Sequence, residues 1–341
     1  MIQIAREEHF LKNWRFIDLF AGIGGFHYAM QSFGAECVLA SEIDIKASKQ
    51  YFINHGLLPE GDILDLATEI IPSYDMLCAG FPCQPFSVSG KQKGFNDSRG
   101  SLFFELIRII QETKPKIILL ENVKNIVKHN NGETMQQILK ELESCNYKVF
   151  HNTINTSNFG LPQNRERTYF VAFNKDVYPN PSFSFPDFRI QSSLKDYLEE
   201  NPPHAKYIER EDITYNQSVI NGIDNRLANR PLQIGKVSKG RQGERIYHIS
   251  GHAITLSASG GGIGAKTGIY MIDNKLRKLT GRECARIQGF PEEYILPSSE
   301  LEAHKQFGNS ISVNTVQYII QEISNTIALN ERTPTTRLQY S

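Results

Sequence analysis

The sequence predicts an α/β protein, with a large domain on a mostly parallel sheet and a smaller domain that is mostly irregular or β. Three observations carry this expectation. In the first half, short apolar runs alternate with longer amphipathic stretches, the rhythm of strands joined by helices. The first apolar run empties into a glycine loop, and beyond about residue 190 the rhythm gives way to a basic, glycine-rich segment short of helix signal.

Taken in order, Phe16–Leu19, Glu36–Ala40, Tyr74–Ala79, Lys116–Leu120, Tyr147–Ile154 and Thr168–Phe173 read as the strands. Residues 179–203, rich in Pro, Ser and aromatics, interrupt them, and 221–270 form the glycine-rich stretch. From Asn309 to Ile327 sheet-and-helix material returns, with Val316, Ile319, Ile320, Ile323 and Ile327 at helical spacing. The large domain is therefore expected to be discontinuous, residues 1–190 plus 304–341, with 191–303 as the smaller domain and hinge. The polar tail Glu331–Ser341 is expected to fray.

Composition narrows the function classes. A 341-residue chain that is 40% hydrophobic can bury one full core and still carry a second lobe. No apolar run approaches the roughly 20 residues that cross a bilayer, and Met1–Trp14 carries scattered charge, so a cytoplasmic protein with no membrane partner is expected. The cysteines (Cys37, Cys78, Cys83, Cys145, Cys284) form no CxxC pair and lack histidines at zinc-ligand spacing, which argues against disulfides and against a metal. Net charge is zero, yet Arg226–Arg286 holds twelve Lys/Arg against three Asp/Glu, a basic face suited to a phosphate backbone.

Chemistry-bearing residues fall where those strands end. Phe16–Phe26 (FIDLFAGIGGF) is a strand, a glycine loop and a helix start, where Gly22 and Gly24 let a nucleotide-like ligand approach backbone; a plain strand–turn–helix junction is the alternative. Glu42 follows the second strand, where a carboxylate can accept from ribose hydroxyls, and Asp62 is read as ending a third. In Gly80–Ser87 (GFPCQPFS), Pro82 and Pro85 flank Cys83 and stiffen the turn that presents its thiol. Val88–Asn96, polar and glycine-bearing, reads as an active-site loop. Glu121 closes a wholly apolar strand, where a partly desolvated carboxyl is suited to share or donate a proton; a strand-capping acid is the alternative. Arg165 and Arg167 in Gln163–Arg167 (QNRER) offer guanidinium forks for phosphate or carbonyl oxygens, or else a surface ladder with Glu166.

These motifs, with RECARIQGFP at Arg282–Pro291 and GNS at Gly308–Ser310, stand in the order found in the C5-cytosine DNA methyltransferases, and the chain resembles that family over most of its length. The resemblance implies a Rossmann-like large domain that binds S-adenosylmethionine and a smaller target-recognition domain. It implies that Cys83 attacks C6 of the cytosine as a thiolate, that the activated C5 takes the methyl, and that C5 then loses its proton as the Cys83 bond is eliminated. Glu121 would hydrogen-bond N3 and the exocyclic amine, Arg167 would hold O2, and Arg165 a phosphate or the loop. Phe20 would pack on adenine, Glu42 take the ribose and Asp62 the adenine amine. Gly22, Gly24, Ile43, Ile63, Pro82, Leu102 and Asn309 would complete the cofactor contacts. Ile43 stands where the bacterial member most resembled has a tryptophan.

Because a thiol cannot reach C6 inside a duplex, the target base must be flipped out of double-stranded DNA. Ser89 and Gln242 match positions that fill the vacated space. Residues 233–266 match the recognition segment, with Gln242, Arg245, Ser257, Ser259 and Gly260 as DNA contacts. The same resemblance implies a bacterial restriction-modification enzyme acting as a monomer on the inner cytosine of GCGC. A cognate endonuclease would share the site without binding this chain. Ser259 replaces a tyrosine of that member. An RNA cytosine methyltransferase and a catalytically silent DNA-binding relative are the alternatives.

Overall fold

The computed structural model describes residues 10–82, 101–203, 205–223 and 228–332. Its main sheet draws on β1 (Arg15–Leu19), β2 (Glu36–Ser41), β3 (Met76–Ala79), β4 (Ile117–Val123), β5 (Tyr147–Asn155) and β7 (Glu166–Asn174), in the order β2-β1-β3-β4-β7-β5; β6 (Gln163–Asn164) lies outside it. β1 runs parallel to β2 and β3, and β3 to β4, whereas β7 is antiparallel to both its neighbours. The expected strands are all present, and the sheet is mostly parallel as read from sequence. Because β2 and β3 lie on opposite sides of β1, the strand order reverses at β1, and a crevice opens at its carboxyl end.

Alternate strand residues point to opposite faces, which explains why the strands read as continuous apolar runs. Phe16, Met76, Cys78, Ile117, Leu119, Val171 and Phe173 enter one buried cluster. Ile17, Leu19, Leu77, Ala79, Ile118, Leu120, Phe170 and Ala172 enter the other. The helices α1 (Gly25–Gln31), α2 (Ile45–His55), α3 (Ser101–Thr113) and α4 (Glu133–Ser144) connect the strands. Asp44 caps α2 by accepting from the amides of Lys46 and Ala47.

The smaller sheet contains β8 (Ile213–Tyr215), β9 (Leu232–Val237), β10 (Arg245–His248), β12 (Ile269–Ile272) and β13 (Lys275–Arg277), ordered β13-β12-β10-β9-β8. Its own core is small: Ile234, Val237, Ile246, Ile269 and Leu276. β11 (Ala253–Ile254) leaves this sheet and pairs with β6, stitching the basic segment to the large domain. α5 (Gln217–Asn221) is short; α6 (Gly281–Ile287), α7 (Glu300–Asn309) and α8 (Val313–Arg332) end the described chain.

One expectation is corrected here. Asn309–Ile327 holds no strand: it is the end of α7, a three-residue link and α8, whose Val316, Ile319, Ile320, Ile323 and Ile327 are buried. The same buried cluster takes in Tyr247, Ala253, Leu256, Tyr270 and Ile272 as well as Leu279, Cys284, Ile287, Phe290 and Tyr294, so side chains from both lobes share it. The RECARIQGFP run reads as polar-and-apolar helix without revealing which lobe it packs on.

Candidate active site

At the carboxyl edge of β1 the backbone turns left-handed at Phe20 (φ 54°), Gly22 (φ 56°) and Gly24 (φ 83°). The two glycines serve different ends. A Cβ on Gly22 would meet nothing within 4 Å, whereas one on Gly24 would lie 2.0 Å from His55 Nε2, so the first leaves space for a ligand and the second permits close packing. Phe20 bears the same conformation with a full side chain, a strain typical of binding sites.

Glu42, one residue beyond β2, accepts from Gly22 N at 2.7 Å through Oε2 and from Asp44 N at 2.8 Å through Oε1. Burial pushes this carboxyl above its ordinary range while the two amide donors pull it back. Each oxygen keeps a lone pair for a further donor, as a ribose diol requires. Asp62 is not at a strand end, as the sequence reading had it. An isolated bridge, Ser41↔Glu60, brings its loop alongside β2, and its Oδ1 accepts from Leu64 N at 3.1 Å.

Phe20, Gly22, Glu42, Ile43, Asp62, Ile63, Pro82, Leu102 and Asn309 line one cleft of about 570 Å³. Gly24 does not line it, consistent with its packing role. Ile43 lines the cleft and stands 66% exposed, an apolar surface suited to an aromatic ring. The open Cβ position at Gly22, the Glu42 acceptors and this apolar surface fit an adenosine-type group.

The same cleft includes Glu121, Arg165 and Arg167. β4 and β7 pair antiparallel with Glu121 opposite Tyr169 and Val123 opposite Arg167, which lets Arg167 Nε reach Glu121 Oε1 at 3.0 Å. Glu121 is 8% exposed, and a Cβ on Gly80 would lie 3.8 Å from its Oε2, so the carboxylate faces the turn leaving β3. That turn is held by Asn122 Nδ2, which donates to the Phe81 carbonyl at 2.9 Å. Cys83 and Ser89, with the rest of the expected loop, lie outside the described residues; Pro82, immediately before Cys83, lines the cleft.

A family model described as C-5 cytosine-specific DNA methylase matches residues 14–325. The chain belongs to this family. It is 45% identical over 329 residues to Type II methyltransferase M.HhaI of Haemophilus parahaemolyticus, covering 96% of this chain and 98% of that protein. With Type II methyltransferase M.DsaV of Dactylococcopsis salina it is 39% identical over 323 residues, 94% of this chain and 89% of the relative. The crystal structure of S. pombe Dnmt2 methyltransferase shares the fold at TM-score 0.66 and 24% identity, over 93% of this chain and 99% of that one. The expected Rossmann-like methyltransferase fold is thus borne out, and the protein is a DNA cytosine-5 methyltransferase. Enzymes of this family use S-adenosylmethionine as methyl donor, and their substrate is DNA.

In this methylase Arg165 is not a free fork. It is 2% exposed, with Nη1 donating to Leu256 O at 3.0 Å and Gly308 O at 3.3 Å, and Nη2 donating to Ser310 O at 2.6 Å. Burial, with Arg167 nearby, pulls its pKa down to about 9. Of the two partners expected for it, a phosphate or the loop, neither is present among the described residues; this guanidinium is engaged by the backbone carbonyls of Leu256, Gly308 and Ser310. The ladder with Glu166 is also absent, since Glu166 pairs with Lys124 at 2.8 Å.

Among the recognition candidates, Gln242 and Arg245 are exposed at a one-turn helix and the start of β10, and Ser259 and Gly260 are exposed on the neighbouring loop. Ser257 is half-buried and donates to Ser259 O at 2.6 Å. The two loops are fastened backbone to backbone: Gly264 N donates to Gly243 O at 2.7 Å, and a Cβ on Gly243 would lie 2.0 Å from Gly261 O.

Sequence reasoning missed several groups. Asp44 and Lys305 both line the cleft and pair at 2.7 Å, joining the cap of α2 to α7. Their separation in sequence hides this. Asp18 lies wholly buried in β1, its carboxyl pushed well up by burial and by Glu42; a carboxylate inside an apolar strand was the available signal. Among the described residues no group of three or more His, Cys, Asp or Glu side chains could hold a metal ion, and no helix is long and apolar enough to cross a membrane.

Proposed function

We propose that this methylase modifies C5 of a cytosine flipped out of a specific duplex sequence, GCGC at its inner cytosine, within a bacterial restriction-modification system. The observation that carries this reading is the Glu121–Arg167 pair, which opens on the same cleft as the Glu42–Gly22 cofactor cradle. A planar ring beside that pair meets an acceptor for its amine edge and a donor for its carbonyl oxygen, the pattern of cytosine.

In the proposed mechanism the Cys83 thiolate bonds to C6 of the cytosine, and electron density moves to C5. Glu121 stabilises the ring at N3 and the amine, while Arg167 holds both O2 and the Glu121 carboxylate. S-adenosylmethionine, when bound, would supply the methyl that C5 takes up, its sulfonium sulfur keeping the bonding pair to leave S-adenosylhomocysteine. Glu42, Asp62 and Phe20 hold the adenosine part, and Ile43 covers it. Loss of the C5 proton to water then expels the Cys83 thiolate and restores the ring. Gln242 and Ser89 occupy the space the base leaves, and Arg245, Ser257, Ser259 and Gly260 read the site. The enzyme acts as a monomer in the cytoplasm, and its cognate endonuclease shares the sequence but not an interface.

Duplex DNA with 5-fluorocytosine at the target position tests the chemistry, because fluorine cannot leave as the proton does and the Cys83 adduct would persist. Wild-type enzyme should form a denaturant-stable, methyl-bearing DNA adduct, and Cys83→Ser should not. An equal adduct with Cys83→Ser would remove Cys83 as nucleophile.

A further inference from the structure

The buried guanidinium of Arg165 bridges elements far apart in sequence. On one side it donates to Leu256 O at 3.0 Å, and the amide of the same residue donates to Gln163 Oε1 at 3.0 Å, so Leu256 is bracketed through both main-chain groups. On the other side it donates to Gly308 O and Ser310 O, the carbonyls on either flank of Asn309. α7 ends at Asn309, so Gly308 O is one of the carbonyls left unpaired by the helix end, where a cation is favoured. Gly308 also touches the recognition loop directly: a Cβ there would lie 2.3 Å from Ser257 C.

A phosphate contact through Nη1 or Nη2 would require this side chain to abandon those carbonyls, leaving further donors of a buried cation unpaired beside Nε, which already has no hydrogen-bond partner among the described residues. We propose that Arg165 is a positioning residue that ties the recognition loop at Ser257 to the cofactor wall at Asn309. It makes no contact with the DNA backbone. The proposal rests on the reading above that Ser257–Gly260 meet DNA and Asn309 the cofactor. It further assigns to one side chain the registration of the target-reading loop against the methyl-donor pocket.

The test compares wild type with Arg165→Lys, Arg165→Met and Gly308→Ala, the last of which pushes the loop from α7 while leaving Arg165 intact. S-adenosylhomocysteine affinity is measured by calorimetry without DNA, alongside the salt dependence of DNA binding and the methylation ratio between GCGC and single-base variants of it. A positioning role predicts that the folded variants bind S-adenosylhomocysteine more weakly, roughly tenfold for Arg165→Met, and lose discrimination. Their salt slope should match wild type. A slope reduced by about 0.9 in Arg165→Met, with cofactor affinity unchanged, would make Arg165 a phosphate contact and overturn the proposal. Unchanged affinity, slope and discrimination would overturn it equally. If Arg165→Met does not fold, Arg165→Lys and Gly308→Ala carry the comparison. Wild type that methylates no duplex would instead sink the functional reading, and the calorimetric comparison would still report on the Arg165–Asn309 tie.

Discussion

Glu121 Oε1 lies 3.0 Å from Arg167 Nε across two antiparallel strands, and the pair is largely sheltered from water. Each member fixes the other, so the acceptor and donor offered to a ring are set before any ligand arrives. Such preorganisation is the largest single contribution in many enzymes. Glu121→Gln keeps the shape while removing the charge, and kcat should fall by about 10²–10³ with cofactor affinity nearly unchanged. A loss confined to KM would place Glu121 in ground-state binding only.

Glu42 joins the glycine loop to the end of β2 through the Gly22 and Asp44 amides. Glu42→Ala removes both acceptors and any to the ribose, and S-adenosylhomocysteine affinity should drop roughly tenfold or more by calorimetry. DNA affinity measured without cofactor should be retained. Equal losses for both ligands would mean that the substitution unfolds the edge of the sheet.

Gly22 and Gly24 should separate by phenotype. Gly22→Ala meets no neighbour, so its cost is the left-handed backbone, about 1 kcal/mol, together with weaker cofactor binding. Gly24→Ala drives a methyl to within 2.0 Å of His55 Nε2 and should be the more destabilising in urea unfolding. Adding His55→Ala to Gly24→Ala should recover part of that loss, and failure to do so would put the collision elsewhere.

Asp18 predicts a pH dependence. Its carboxyl is held well above the ordinary range in the folded chain, so between about pH 4 and its folded pKa the folded state keeps a proton that the unfolded state has released. That contribution to stability is whole below about pH 4 and is lost as pH rises. Asp18→Asn removes the titration, and the stability difference, variant minus wild type, should grow by up to about 1.4 kcal/mol per pH unit over that window. A flat difference between pH 4 and 7 would contradict the assignment.

Arg277 and Glu283 form a fully buried bidentate pair, 2.7 and 2.8 Å, with Thr280 N also donating to Glu283. Removing one partner leaves the other charge stranded, and Arg277→Met should cost about 3–5 kcal/mol. A loss below 1 kcal/mol in denaturant titration would show that water reaches the site.

What could be read from sequence followed from local physics. The strands were legible because Ile117–Leu120 is buried on both faces and leaves an unbroken apolar run, and Phe16–Leu19 does so but for Asp18. The cleft was legible because Glu42 and Pro82 follow the ends of β2 and β3 and Glu121 lies near the end of β4, where a parallel sheet gathers them. The surroundings of Arg165 were not legible because QNRER gives no sign of which guanidinium turns inward; only the fold brings Leu256, Gly308 and Ser310 to it. Asp62 was misplaced because one isolated bridge, with no strand pattern, carries its loop to the sheet edge. The Asp44–Lys305 pair was invisible for a related reason: helix caps and helix ends meet only through tertiary packing.

The most direct test of this account is a base-resolution map of 5-methylcytosine in DNA from cells that express this chain and lack other methyltransferases. Methylation confined to the inner cytosine of GCGC is the predicted result. Methylation at another fixed sequence would keep the chemistry and overturn the reading of residues 233–266, and unmethylated DNA despite folded protein would contradict the proposed function outright.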